Sequence, residues 1–227
     1  MIGDDRVLGI ITARGGSKGL PGKNLIPFRG RPLIGWTIAA AQASVGIDRL
    51  ILSSDDPGII AEAVAFGCEA PFVRDAALSG DTARSIDVVL DALDRVPGYE
   101  VMVLLQPTSP LRTAADIDAV LAQLKESDSC VSVTEAETHP WLTYRTDPSG
   151  RMSPYAEPPA GASLRRQDLP GALTVNGAVY AARVDWLRRT RSFVVPGETR
   201  AHVMPPERSA DIDTREDLDA AEGLAGH

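Results

Sequence analysis

Val7-Leu8-Gly9-Ile10-Ile11-Thr12-Ala13-Arg14-Gly15-Gly16-Ser17-Lys18-Gly19-Leu20-Pro21-Gly22-Lys23-Asn24 runs from an apolar stretch straight into a glycine-rich, cationic loop. The apolar run, without polar alternation, reads as a strand buried on both faces. The loop holds four glycines, three cations and no acid between Ala13 and Asn24. Glycines let backbone N–H groups approach an anion, and Arg and Lys neutralise phosphate oxygens, so a polyphosphate is the expected guest. The competing reading is a solvated glycine-rich turn. The loop is not a P-loop, which needs Gly where Ser17 stands and a hydroxyl where Asn24 stands, and it contains no G-x-G-x-x-G.

Beyond this stretch, Leu50–Leu52, Val101–Leu105, Cys130–Val133 and Gly177–Tyr180 read as further strands. Between them, Pro32 to Ala43, Pro57 to Phe66, Ser85 to Leu93, Thr113 to Leu124 and Thr214 to Leu224 carry helical apolar spacing. Alternating strand and helix predicts an α/β fold with right-handed crossovers and a mainly parallel sheet covered by helices on both faces. Ligands collect at the carboxyl ends of such strands. The candidate site is therefore Arg14 to Asn24, Ser53 to Asp56, Gln106 to Arg112, and Asp211 with Asp213.

The 227 residues form a single expected domain, with 44% hydrophobic and 24% charged residues in an ordinary globular balance. A formal charge of -8 disfavours a nucleic-acid surface. The acidic start and the lack of a spanning apolar run predict a cytoplasmic protein with no membrane partner. Cys68 and Cys130 lie apart in or beside apolar runs and read as inert core thiols. His139, His202 and His227 have no serine elbow near them. His139 to Gly171 breaks the alternation with five prolines besides Pro140, and reads either as a disordered insert or as an excursion packed through Trp141, Tyr144 and Tyr155.

Asp211 and Asp213 flank Ile212 and, on an extended chain, face one side, where both carboxylates can meet a hard cation. The alternative is that they cap the helix beginning near Thr214. Ser53-Ser54-Asp55-Asp56 before Pro57 has the grammar of a helix start. Gln106-Pro107-Thr108-Ser109-Pro110 ends a strand in a stiffened loop, read either as scaffold or as a sugar-hydroxyl contact through Gln106.

The string Ile10 to Asn24 resembles the N-terminal signature of the acylneuraminate cytidylyltransferases. The resemblance continues through Leu105 to Arg112, Arg166 to Pro170, Asn176-Gly177 and Asp211 to Thr214. It implies a Rossmann-like nucleotidyltransferase fold, a homodimer with 139–171 as dimerisation excursion, and transfer of CMP from CTP, with Mg²⁺, to the anomeric hydroxyl of an acidic nonulosonate. N-acetylneuraminic, legionaminic and pseudaminic acids all remain open as that sugar. Carried over by position, Arg14, Ser17, Lys18 and Lys23 hold the triphosphate, and Asn24 the nucleoside. Arg74, Ala83 and Ser85 surround cytosine, Gln106 and Arg166 contact the sugar, and Asp211 and Asp213 bind the metal. Lys23, Asp211 and Arg14 are then the catalytic set. The sequence departs from the family at Asp75, where Pro is frequent, and at Arg145, where Lys is common. A cytidylyltransferase for the eight-carbon sugar Kdo and a nucleotide-binding module without turnover are the rival readings.

Overall fold

The computed structural model describes residues 4–17 and 19–224. Six strands, β1 (Val7–Thr12), β4 (Arg49–Ser53), β5 (Val101–Leu105), β6 (Ser129–Glu135), β9 (Leu173–Arg183) and β10 (Arg200–Val203), form one sheet in the order β10-β6-β9-β5-β1-β4. β1 pairs parallel with both β4 and β5, and β10 parallel with β6, while β9 runs antiparallel between β5 and β6. Two short antiparallel pairs complete the strands: β2 (Pro27–Phe28) with β3 (Arg31–Pro32), and β7 (Tyr144–Thr146) with β8 (Met152–Pro154).

Side-chain alternation along the buried strands feeds two cores. Val101, Val103 and Leu105 meet Ile34 and Ile38 of α1 (Leu33–Ala43), Ile59 of α2 (Pro57–Ala65), and Ile117 and Val120 of α4 (Ala114–Ala122). On the other face Met102 and Leu104 meet Ile86 and Val89 of α3 (Ser85–Arg95), with Trp186 and Leu187 of α5 (Val184–Thr190). Each such side chain, removed from water, contributes about 1.5–3 kcal/mol before the entropy of ordering is set against it. The result is a Rossmann-like α/β sheet with helices on both faces. A third apolar cluster joins Phe28 and Leu33 to Ile212 and to Leu218 of α6 (Arg215–Leu224), tying the C-terminal segment beside the glycine-rich loop.

Local signals act as the residue types require. Asp56 caps α2 by accepting from Gly58 N and Ile59 N, and Thr113 with Asp116 forms a capping box on α4. Both cysteines are buried free thiols, and burial pushes Cys68 up to about 12 and Cys130 to about 11. Residues 139–171 form neither a disordered tract nor a closed pack: they hold the β7–β8 hairpin, with Tyr144 and Tyr155 exposed and Trp141 half-buried edge-on to His139. Among the described residues no helix is long and apolar enough to cross a membrane. His227 lies outside the described residues.

Candidate active site

The chain leaves β1 for its neighbour β4, then returns past β1 to β5 on the other side, so the strand order reverses between the parallel β1 and β5. Such a switch point leaves a crevice beyond the strands' carboxyl ends. Here it is a cleft of about 300 Å³, lined by Ala13, Arg14 and Ser17 beyond β1 and by Gln106, Pro107 and Thr108 beyond β5. Lys23, Asn24, Arg74, Ala83 and Ser85 line it too. The structure thus gathers every nucleotide-site residue expected from sequence except Lys18, which lies outside the described residues. Ser85 opens α3, turning the positive end of a helix toward the cleft.

Interactions over long sequence distances shape the loop. Gly15 N donates to Asp55 Oδ1 (3.2 Å), and the buried Asn24 donates from Nδ2 to the Arg14 carbonyl (3.0 Å). Gly22 takes a left-handed φ of 68° to start the short turn carrying Lys23. Gly19 lies against the metal segment expected from sequence: a Cβ there would stand 2.6 Å from the Asp213 carbonyl oxygen, a backbone atom that cannot swing aside. Gly19→Ala is therefore expected to push the loop off residue 213 and weaken binding of the CTP expected from sequence, with a small effect on thermal unfolding. CTP titration beside a melting curve checks it; unaltered CTP affinity would show that the loop needs no such contact.

Two loop cations already hold carboxylates. Lys23 Nζ lies 2.6 Å from Asp213 Oδ1, and Arg14 Nη1 lies 3.0 Å from Asp81 Oδ1. Arg74 is buried, its Nη2 donating to the carbonyls of Ala13 (2.7 Å) and Ser53 (2.6 Å), so it joins the ends of β1 and β4 under the cleft. Burial lowers its pKa, the nearby Asp55 carboxylate opposes that, and Arg14 adds to it.

Ile212 is fully buried while Asp211 and Asp213 are exposed, as the alternation requires, and Ile212 N is pinned to the Thr108 carbonyl (2.8 Å). Neither aspartate caps α6. That role falls to Thr214 and Asp217, with Asp217 Oδ2 accepting from Thr214 N (2.8 Å) and Thr214 Oγ1 donating its proton to the same oxygen (2.9 Å). The Asp211 carboxyl is flanked by protein, and desolvation raises its pKa. The Asp213 and Asp217 charges push the same way, against the Thr108 hydroxyl and Lys23. Two hard carboxylates on one side of the chain, one crowded by like charge, fit a divalent cation that completes its shell with water and phosphate. Among the described residues no cluster of three or more His, Cys, Asp or Glu ligands forms.

Gln106 and Arg166 are not brought together. Gln106 Oε1 and Asp211 Oδ2 each lie 3.5 Å from where a Cβ on Gly177 would stand, and Gly177 has a left-handed φ of 76°. Arg166 is exposed on the excursion, where it lines a separate cavity of about 520 Å³ with Glu137, His139 and Leu169. A further cavity of about 800 Å³ beside Asp211 is bordered by Glu135, Glu137 and Asp217. Asp81, the partner of Arg14, had no signal in the sequence, lying 67 residues away.

Comparison with known proteins agrees with this geometry. A family model described as cytidylyltransferase matches residues 8–152. The chain is 37% identical over 214 residues to an N-acylneuraminate cytidylyltransferase of Streptococcus agalactiae, covering 92% of this chain and 51% of that protein. It thus spans about half the length of that relative. It is 34% identical over 222 residues to a pseudaminic acid cytidylyltransferase of Campylobacter jejuni, covering 95% and 94%. In fold it is similar to a CMP:2-keto-3-deoxy-manno-octonic acid synthetase complexed with CTP, at TM-score 0.73 and 19% identity, covering 96% of this chain and 98% of the other.

Proposed function

The chain belongs to the cytidylyltransferase family, and from that membership we propose that it transfers CMP from CTP to the anomeric hydroxyl of an acidic nine-carbon sugar, an N-acylneuraminate or related nonulosonate, releasing pyrophosphate. The observation that carries this reading is the single cleft lined by Arg14, Ser17, Lys23, Arg74 and Gln106, with Asp211 and Asp213 beside it. Pyrophosphate release from CTP with N-acetylneuraminic, legionaminic and pseudaminic acids tests it. Release with one of these sugars and none with CTP alone supports the reading; no release with any of them overturns it.

In this reading the protein supplies placement and charge, with no covalent intermediate. Lys23 and Arg14 exchange their carboxylate partners for phosphate oxygens, and Ser17 and the loop N–H groups complete the cradle. Asn24, Arg74, Ala83 and Ser85 enclose the nucleoside. Gln106 orients the attacking hydroxyl. Asp211 and Asp213 would hold Mg²⁺, which when bound offsets charge on the triphosphate and the departing pyrophosphate.

We read the active unit as a homodimer. Tyr144, Met152, Tyr155 and Leu164 are exposed along the excursion, and apolar groups so displayed favour a second surface. An excursion that delivers Arg166 to the cleft of the other copy also resolves the separation of Arg166 from Gln106. Sedimentation at micromolar concentration checks the dimer, and a monomer alone would refute it. Arg166→Ala is expected to raise KM for the sugar far more than for CTP, because a guanidinium pairs a carboxylate through two parallel bonds. A rise confined to CTP would reassign Arg166. A cytoplasmic location, consistent with two unbridged buried cysteines, is checked by fractionation and refuted by recovery outside the cytosol.

A further inference from the structure

Arg112 closes the loop beyond β5 at only 3% exposure, and among the described residues no carboxylate pairs with it. Asp116, four residues on, gives its oxygens to Thr113 and to Arg208 instead. The guanidinium donates to neutral oxygens: Nη1 to the carbonyls of Gln106 (3.2 Å) and Ala178 (2.7 Å), and Nη2 to Thr37 Oγ1 (2.7 Å). Among the described residues its Nε has no hydrogen-bond partner. Burial draws its pKa down to about 9, which still leaves it charged at neutral pH.

A cation taken out of water onto neutral acceptors is a costly way to hold a loop. The three acceptors explain the placement, for they belong to α1, to the exit of β5 and to β9 directly after Gly177. The Gln106 amide and the Asp211 carboxylate converge on that glycine. Asn176 fixes the other side of the turn, where its Oδ1 accepts from Ser132 Oγ (2.6 Å) and Ala178 N (3.2 Å), and its Nδ2 donates to Ser209 Oγ (3.0 Å). Arg112 therefore sets the backbone on both strands from which the Gln106 side chain and the Gly177 surface face each other. A planar fork spans three divergent oxygens; an ammonium on a flexible stem does not hold them in one plane.

We infer that Arg112 is a positioning residue for the acceptor-sugar subsite: by clamping the Gln106 carbonyl to Ala178 and Thr37, it aims the Gln106 amide at the sugar without entering nucleotide binding. This rests on the reading of Gln106 as the sugar contact, and the experiment separates the two. KM and kcat for CTP, and for the sugar active in the pyrophosphate assay, are measured in Arg112→Lys, Gln106→Ala, the double variant and Thr37→Val. Arg112→Lys keeps the charge and loses the fork, so sugar KM is expected to rise about tenfold with CTP KM little changed. In the Gln106→Ala background the same change is expected to add almost nothing, as for two residues acting through one contact. A fall in melting temperature without that split in KM would mark Arg112 as scaffold and overturn the inference, as would additive effects in the double variant. If Gln106→Ala leaves sugar KM unchanged, the reading of Gln106 fails and takes the inference with it. If Gln106→Ala raises sugar KM and Arg112→Lys does not, only the inference fails. Should Arg112→Lys not fold, Thr37→Val decides: it leaves the guanidinium in place and removes both its Thr37 acceptor and the Thr37 hydroxyl's own bond to the Gln106 carbonyl (3.4 Å), which belong to the same clamp. A smaller rise in sugar KM alone is then expected, and an unchanged value overturns the proposal.

Discussion

Replacing Lys23 by alanine is expected to lower kcat by about 10²–10³-fold, the range seen when one preorganised charge-stabilising group is removed from an active site. The position is built rather than incidental. Gly22 in a left-handed turn sets the backbone, Lys23 N donates to the Leu20 carbonyl (3.1 Å), and the side chain is only 17% exposed where it meets Asp213. That ammonium holds the Asp213 carboxylate, and in the proposed function it exchanges that partner for a phosphate. In that reading phosphate capture would return Asp213 to the cleft as Lys23 leaves it, so nucleotide binding and formation of the proposed cation site would favour each other. Alanine removes both roles, and the Asp213 and Asp211 charges are then left side by side. Stability should change little, because ion pairs with one exposed member are worth about 0–1 kcal/mol. Turnover and thermal unfolding of the same preparation check this, and an unchanged kcat would remove Lys23 from the mechanism.

The parts of this site legible in the sequence are those made of contiguous residues. The run at β1 and the loop after it announce themselves because a doubly buried strand must be apolar throughout and the loop proposed to cradle phosphate is glycine-rich. β5 and the proline-stiffened loop beyond it follow the same logic. β10 escaped because Arg-Ala-His-Val is an edge strand largely open to water, with no apolar run to mark it. β9 spans eleven residues where the apolar run marks only Gly177–Tyr180, since its first three residues, Leu173 to Val175, are exposed and lie beyond the sheet's buried centre. α5 escaped because only Val184, Trp186 and Leu187 of its seven residues are buried. The hairpin of β7 and β8 escaped because its short strands lie among prolines and carry no buried face, apart from partly covered Pro154.

Contacts between distant residues were beyond local reading. Lys23 and Asp213 are 190 residues apart, and nothing near either one names the other. Arg112 shows how spacing misleads: Asp116 stands at the i+4 position that favours an ion pair on a helix. Yet Arg112 precedes α4 and turns inward, leaving Asp116 to cap that helix and to pair with Arg208. The alternative of a helix-capping role for Asp211 and Asp213 is excluded for a related reason. The Thr214 and Asp217 side chains satisfy the first turn of α6 between them, which frees Asp213 for Lys23.

Asp211→Asn keeps shape and removes a charge, and its activity is expected to fall by more than the ~10–100-fold that loss of an outer-shell metal partner costs. The carboxylate stands at the junction of three features: the Gln106 amide across Gly177, the Thr108 hydroxyl, and the Asp213 side chain on the same side of the chain. Its surroundings disfavour its ionised form, since desolvation and two neighbouring carboxylates raise its pKa. A group whose folded pKa is raised destabilises the fold once ionised, so asparagine should leave the ligand-free protein at least as stable at neutral pH. That gain should fade as pH falls until Asp211 is protonated in both folded and unfolded chains. Loss of activity without loss of stability is the signature of a charge kept for a ligand. Asp213→Asn should also lower activity and leave α6 intact, whereas Asp217→Ala should cost about 1 kcal/mol through the lost cap. Magnesium titrations of activity beside melting curves for the three variants distinguish these roles, and Asp211→Asn retaining full magnesium-dependent turnover would end the assignment of the cation site.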